Sequence, residues 1–360
     1  MRGRTMLFAG ALALAGLGLA SARSRRNPDM PAPTTAERGD DRLDRNDDCE
    51  RCHVDIAQEW RASLHRASYS DPMVQAAIAG EDDPSFCRSC HAPEADPRAE
   101  PDPRRAAIGV GCVGCHLVDQ EILAAPRPGP ETAPHPIRRD PKFAGPDACA
   151  GCHEFWFPSA GRAGHELIMQ RTVGEHRRSR VRDQPCQACH MPPTASDGEV
   201  HRGHGFHVVG EPRMLRAAAT ITGSREIDER GRAVVRVILE PRAVGHAFPT
   251  GDLHRRLLVR VEAADQRDDR CTAERFLARH FGLTRVGDGS AIRVEVADDR
   301  VGLRREPRVV EFVLPGACVE QPLRWSVTYQ RVLDTPIGDE QAAKIWDQTE
   351  IASQRLEPIN

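Results

Sequence analysis

The pattern CxxCH occurs five times, and nothing else in the 360 residues constrains the fold as strongly. The copies span residues 49–53, 87–91, 112–116, 149–153 and 186–190. They supply ten thiols: Cys49, Cys52, Cys87, Cys90, Cys112, Cys115, Cys149, Cys152, Cys186 and Cys189. They also supply five imidazoles: His53, His91, His116, His153 and His190. Two thiols at this spacing can add across the two vinyl groups on one edge of a haem, and the next residue then sets an imidazole under the iron. A lone CxxC is also a redox pair or half of a zinc site. Zinc sites close with a second, distant pair and do not demand a histidine after every second cysteine. All five copies carry one, which points to five covalent haems c.

The composition agrees with that reading. Aromatic residues make up only 4% of the chain, a poor recipe for one large apolar core. Five macrocycles would fill the interior instead, with roughly 32 residues per haem between Cys49 and His207. Of the 50 basic residues only Lys142 and Lys344 are lysines. The arginine forks suit carboxylates, and haem propionates are carboxylates. A net charge of −3 argues against a general nucleic-acid binder.

Residues 1–22 have the grammar of a secretory signal peptide: Arg2 and Arg4, an apolar run from Met6 to Ala20, and the exit Ala20-Ser21-Ala22. No stretch reaches the length of a membrane span. Residues 23–46 read as a solvated linker. Residues 47–212, broken by prolines and by the Cys-His sites, read as a haem-packed domain of short helices. The proline-rich stretch 98–141 reads as a surface loop. From 213 to 335 the pattern changes to period two: 217–224, 233–239, 256–263, 292–296, 309–314 and 323–332 are expected strands of an antiparallel β-sandwich-like domain. Residues 336–360 form a tail with a short helix near 341–349. The fold class is therefore α+β. Cys271 and Cys318, outside any motif, are expected to pair in an oxidising compartment, a bridge worth about 4 kcal/mol in the chain-entropy account.

Ten histidines remain as candidates for five second axial ligands: His65, His135, His165, His176, His201, His204, His207, His246, His254 and His280, with Met73, Met169, Met191 and Met214 as scarcer alternatives. His53 and His65 are twelve residues apart, about 18 Å along a continuous helix, too far to grip one iron from both sides. His65 is thus expected to serve a neighbouring haem.

Residues 49–67, CERCHVDIAQEWRASLHRA, resemble the CxxCH…W..S.H..A signature of multihaem cytochromes with the cytochrome c-552/c-554 domain, here Trp60, Ser63 and His65. The resemblance implies that His65 is a distal ligand. Further pieces look like secreted multihaem cytochromes. APHPIRRDPKF offers His135, HRGHGFH offers His201, His204 and His207, and GHAFPTGD offers His246. An echo of the first signature near residues 174–181 has histidine where tryptophan stood, which makes His176 a further candidate. The expected ligand set is therefore His65, His135, His176, His204 and His246 beside the five motif histidines.

The leading expectation is a periplasmic or extracellular electron-transfer protein with mostly bis-histidine haems. Its partners would be redox proteins, membrane-bound oxidoreductases among them. The alternative is an oxidoreductase with one open haem acting on a small nitrogen or sulfur species. Every motif ends in histidine, and only Tyr69 and Tyr329 are tyrosines, so nothing marks a lysine-ligated or tyrosine-linked haem.

Overall fold

A computed structural model describes residues 40–359 apart from 82, 131, 158–166, 197–198, 207–211, 243, 266–267, 288 and 304–305. The expected signal peptide, His165 and His207 lie outside the described residues.

Ten short helices dominate the first half: α1 (Asp40–Cys52), α2 (Val54–Arg61), α3 (Pro72–Ile78), α4 (Ser85–His91), α5 (Pro103–Ile108), α6 (Cys112–His116), α7 (Asp147–His153), α8 (Thr172–Arg177), α9 (Cys186–His190) and α10 (Pro212–Ala217). Every CxxCH sits on the last turn of a helix or ends it. That is the geometry the motif needs, because residues three apart share one helical face. Small strands fill the gaps: β1 (Leu117–Val118), β2 (Glu121–Ala124) and β3 (Ile137–Arg139) in one sheet, then the pairs β4 (Glu154–Phe157) with β5 (Leu167–Arg171) and β6 (Pro193–Ser196) with β7 (Glu199–Arg202). The stretch 98–141 is thus more ordered than a surface loop. It holds α5, α6 and a sheet, and Asp102 caps α5 by accepting from the backbone N–H of Arg104 and Arg105.

The linker expected at 23–46 is also corrected. Residues 40–46 belong to α1, and Arg42, Leu43 and Asn46 are buried. Arg42 donates to both carboxylate oxygens of Glu94 and to the carbonyls of Val113 and Leu117. Asn46 accepts from the N–H of Cys112 and donates to Glu50. Polar side chains that looked solvated are buried because each finds a partner.

The second half is β. Strands β8 (Ala219–Ile227), β9 (Ala233–Pro241) and β14 (Arg308–Leu314) form one antiparallel sheet in the order β14-β9-β8. Strands β10 (Arg255–Ala263), β11 (Ala273–Leu277), β15 (Leu323–Asp334) and β16 (Lys344–Leu356) form the facing sheet, ordered β11-β10-β15-β16. Val235, Val237 and Leu239 of the first sheet pack against Leu257, Val259, Val261, Leu323, Trp325 and Val327 of the second. A Cβ at Gly223 would run into the Trp325 indole, so a glycine is what lets the sheets close there. Cys271 and Cys318 are joined by a disulfide.

A hairpin of β12 (Arg279–Arg285) and β13 (Ala291–Asp298) stands apart from both sheets. Its alternation forms a strand, yet Val296 and Leu283 remain exposed. The helix expected near 341–349 is strand instead. Residues 344–356 zip along β15 from Asp334↔Lys344 to Leu323↔Leu356, and a long ladder overrides the helix propensity of a short alanine- and glutamine-rich run. The β domain therefore continues to Leu356.

Apolar clusters are unequal. The sandwich has one extended core, while among the described residues the helical half has two small ones, around Tyr69 and Ile78 and around Leu43, Trp60 and Ile108.

Candidate haem sites

The ten motif cysteines are free thiols, and each is at least partly accessible. Four of the five motif histidines face a second histidine. His53 lies 6.3 Å from His135 between ring centroids, His153 lies 6.3 Å from His65, His116 lies 6.2 Å from His204, and His190 lies 6.1 Å from His246. No ordinary ring contact needs so uniform a gap. Two metal–imidazole bonds of about 2 Å, each extended by a ring radius of about 1.1 Å, add to roughly the same span. The pairs therefore fit one iron apiece.

The ring nitrogens agree with this. Nδ1 of His91 lies 2.9 Å from the Ser68 carbonyl, that of His116 2.8 Å from the Leu123 carbonyl, and that of His204 2.6 Å from the Arg202 carbonyl. His246 Nδ1 lies 2.9 Å from its neighbour's carbonyl, and His153 Nδ1 reaches the side-chain oxygen of Gln170. A carbonyl accepts only from N–H, so these rings carry their proton on Nδ1 and leave the Nε2 lone pair free for a metal. Burial holds His65, His204 and His246 down to about 4, assisted by neighbouring histidines, so these three are neutral at pH 7.

Local sequence explains how His65 is placed. The Trp60 indole, buried on α2, donates to the carbonyl of Val110, and the N–H of Val110 donates to the carbonyl of His65. Gly109 makes the approach possible. Its φ is +54°, and a Cβ there would lie 2.6 Å from the carbonyls of His65 and Arg66. The helix breaks at His53, between α1 and α2, and His65 turns to His153 rather than to His53.

Other sequence candidates fall elsewhere. His176 on α8 is buried against Gly245 and faces no motif histidine among the described residues. It lies close enough to His246 to help keep that imidazole neutral, and its own Nδ1 is buried without a hydrogen-bond partner. His201 is engaged through Nε2 by Glu59, and His280 is engaged on both nitrogens, by Asp299 and Glu340. His91 faces no histidine ring among the described residues.

Three features went unread in the sequence. Phe206, at the end of HRGHGF, sits edge-on to His65 at 4.3 Å and to His204 at 5.8 Å, and so connects two of the pairs. The motifs also come close to one another: Cys112 lowers the pKa of the Cys49 thiol, Cys149 lowers that of Cys186, and Cys90 raises that of Cys152. Finally, Glu175 on α8 grips the GHAFPTGD loop. It accepts from the N–H of Ala247 at 3.1 Å and the hydroxyl of Thr250 at 2.8 Å, and pairs with Arg300 at 2.6 Å, both side chains 3% exposed. Arg300 in turn donates to the carbonyl of Pro249.

Residues 48–117 match the family described as cytochrome c554 and c-prime. No curated protein sequence matches the chain. Among solved structures, the fold resembles that of a penta-haem cytochrome c552 from Thermochromatium tepidum, at 20% identity and a TM-score of 0.61, over 86% of this chain and 97% of that one. The repeated attachment motif, the family match across residues 48–117 and the resemblance in fold are the features that this chain shares with multihaem c-type cytochromes.

Proposed function

We propose that the protein is an exported electron-transfer cytochrome with five covalent haems c, four of them held between two histidines. The observation that carries this reading is the set of four histidine pairs at 6.1–6.3 Å. Each haem, when bound, supplies a reversible one-electron site. The chain's own residues do the rest. Two imidazoles close both faces of the iron to substrate, and their Nδ1–carbonyl bonds fix orientation and strengthen Nε2 as a donor.

The contacts between motifs support a route for the electron. The Cys49–Cys112 contact joins the first and third sites, and Phe206 joins the third pair to the fourth. From the fourth, Cys149 leads to the fifth site and Cys152 to the second. The fourth site is a junction with three neighbours. Export through residues 1–22 would place this relay in the periplasm or outside the cell, among redox proteins that deliver and collect electrons. Intact mass of the acid-denatured holoprotein tests the count: five haem masses above the apo-chain are expected, and four or fewer under working haem maturation would refute it.

A second reading has one observation in its favour. His91 has its Nδ1 bonded to the Ser68 carbonyl, as a ligand should, yet no second histidine faces it among the described residues. If no side chain from outside the described residues reaches it, a haem on Cys87 and Cys90 would leave room there for a small nitrogen or sulfur species. Carbon monoxide binding to one reduced haem of the five would support this, and no binding would leave the relay alone.

A further inference from the structure

Beyond the histidine sites, the β domain encloses a small cavity whose walls are unusually basic. His254, Arg255 and Arg256 enter it from the start of β10, Arg279 from β12 and Arg293 from β13. Glu340, from the turn after β15, is the only carboxylate lining it.

Charge accounting leaves the cations short of partners. Glu340 is taken up by His280, whose other ring nitrogen is 2.8 Å from Asp299. Arg279 is matched by Glu295 and by the carbonyls of Ile168 and Met169. Arg256 has no ion pair among the described residues, though Glu340 and Glu274 act on it from a distance. It lies 3.9 Å over the Phe276 ring and donates only to the Gln330 side chain and the Glu340 carbonyl. Arg255 spends one nitrogen on Asp252 at 2.8 Å, and its Nη1 is buried with no hydrogen-bond partner. Arg293, half-buried, has no ion pair or hydrogen bond among the described residues. His254 lies among them, its pKa lowered chiefly by burial, with Arg255 and Arg293 adding to the effect against Asp252. An unpaired guanidinium N–H in a closed site is costly, and its fork geometry matches an oxyanion.

We propose that this cavity binds a small oxyanion group through Arg255 Nη1, Arg293 and His254. The group has either of two sources: a diffusible inorganic oxyanion, or a carboxylate of the prosthetic group nearest by. Asp252, the partner of Arg255, also acts to raise the pKa of His91, which connects the second source to a motif histidine. Only this second source rests on the haem reading above.

The test uses the holoprotein, with haem content measured for every variant so that failure of attachment is seen separately. Sulfate is titrated by calorimetry in low-chloride buffer, alongside a redox titration of all haems. For a diffusible anion, wild type shows one saturable site. Arg293→Gln weakens it tenfold or more, while Arg285→Gln, on the same hairpin outside the cavity walls, leaves it unchanged. For a resident carboxylate, sulfate does not bind, and Arg293→Gln lowers the midpoint potential of one haem because a negative charge loses its counter-charge. Equal sulfate affinity in wild type and Arg293→Gln would overturn the proposal. So would absence of sulfate binding together with unchanged potentials.

Discussion

At the scale of residues, hydrogen bonding separates histidines able to take a metal from those that hold the fold. His116, His204 and His246 bond a carbonyl through Nδ1, while His280 is clasped by two carboxylates. His65→Ala is expected to convert one haem from low-spin to high-spin with all five still attached, because the thioethers hold the macrocycle. An unchanged spin count in the EPR spectrum would reject the His65–His153 assignment. His280 should instead affect stability. Its hydrogen bond to Asp299, reinforced by Glu340, raises it from 6.5 to about 9. A raised pKa contributes stability that is fully present below about pH 6.5 and lost as pH passes 9. We expect on the order of 2 kcal/mol of pH-dependent stability across that window, and a flatter profile in His280→Gln, measured by denaturant unfolding. None of these partners was legible in the sequence. Histidines were visible as candidates, but the carbonyl or carboxylate that assigns each role comes from chain far away, as Glu59 does for His201.

At the scale of elements, six strands were located near their true bounds, five of them because one face lies in the sandwich core; the sixth, 292–296, lies in the separate hairpin. The sequence pattern failed where tertiary pairing decides. Residues 273–285, rich in alanine, arginine and leucine, lack clear alternation and yet form β11 and β12. The GHAFPTGD loop was legible as a tight connection carrying His246, but the element that fixes it, α8 through Glu175, was not. Glu175→Ala leaves Arg300 buried beside Asp298 alone and frees the Ala247 N–H and the Thr250 hydroxyl. Breaking such a buried pair costs about 3 kcal/mol or more. The expected outcome is lower thermal stability together with partial high-spin character at the haem of His190 and His246. Lower stability with that haem still fully low-spin would show that the clamp does not position the ligand.

At the scale of the whole molecule, two interiors are built by different means. The sandwich closes on its own apolar residues and a disulfide, whereas among the described residues the helical half has two small apolar clusters. The composition fits that contrast: few aromatic residues leave apolar bulk for a cofactor to supply in one half. The pairing of sites was not anticipated, since a motif fixes one ligand locally and leaves the second to the global fold. Low-temperature EPR of the fully oxidised holoprotein, with spins counted against total haem, tests this directly. At least four low-spin haems are expected, one for each histidine pair, and a high-spin fifth would place the open site of the second reading on Cys87 and Cys90. Fewer than four low-spin haems would contradict the histidine pairs.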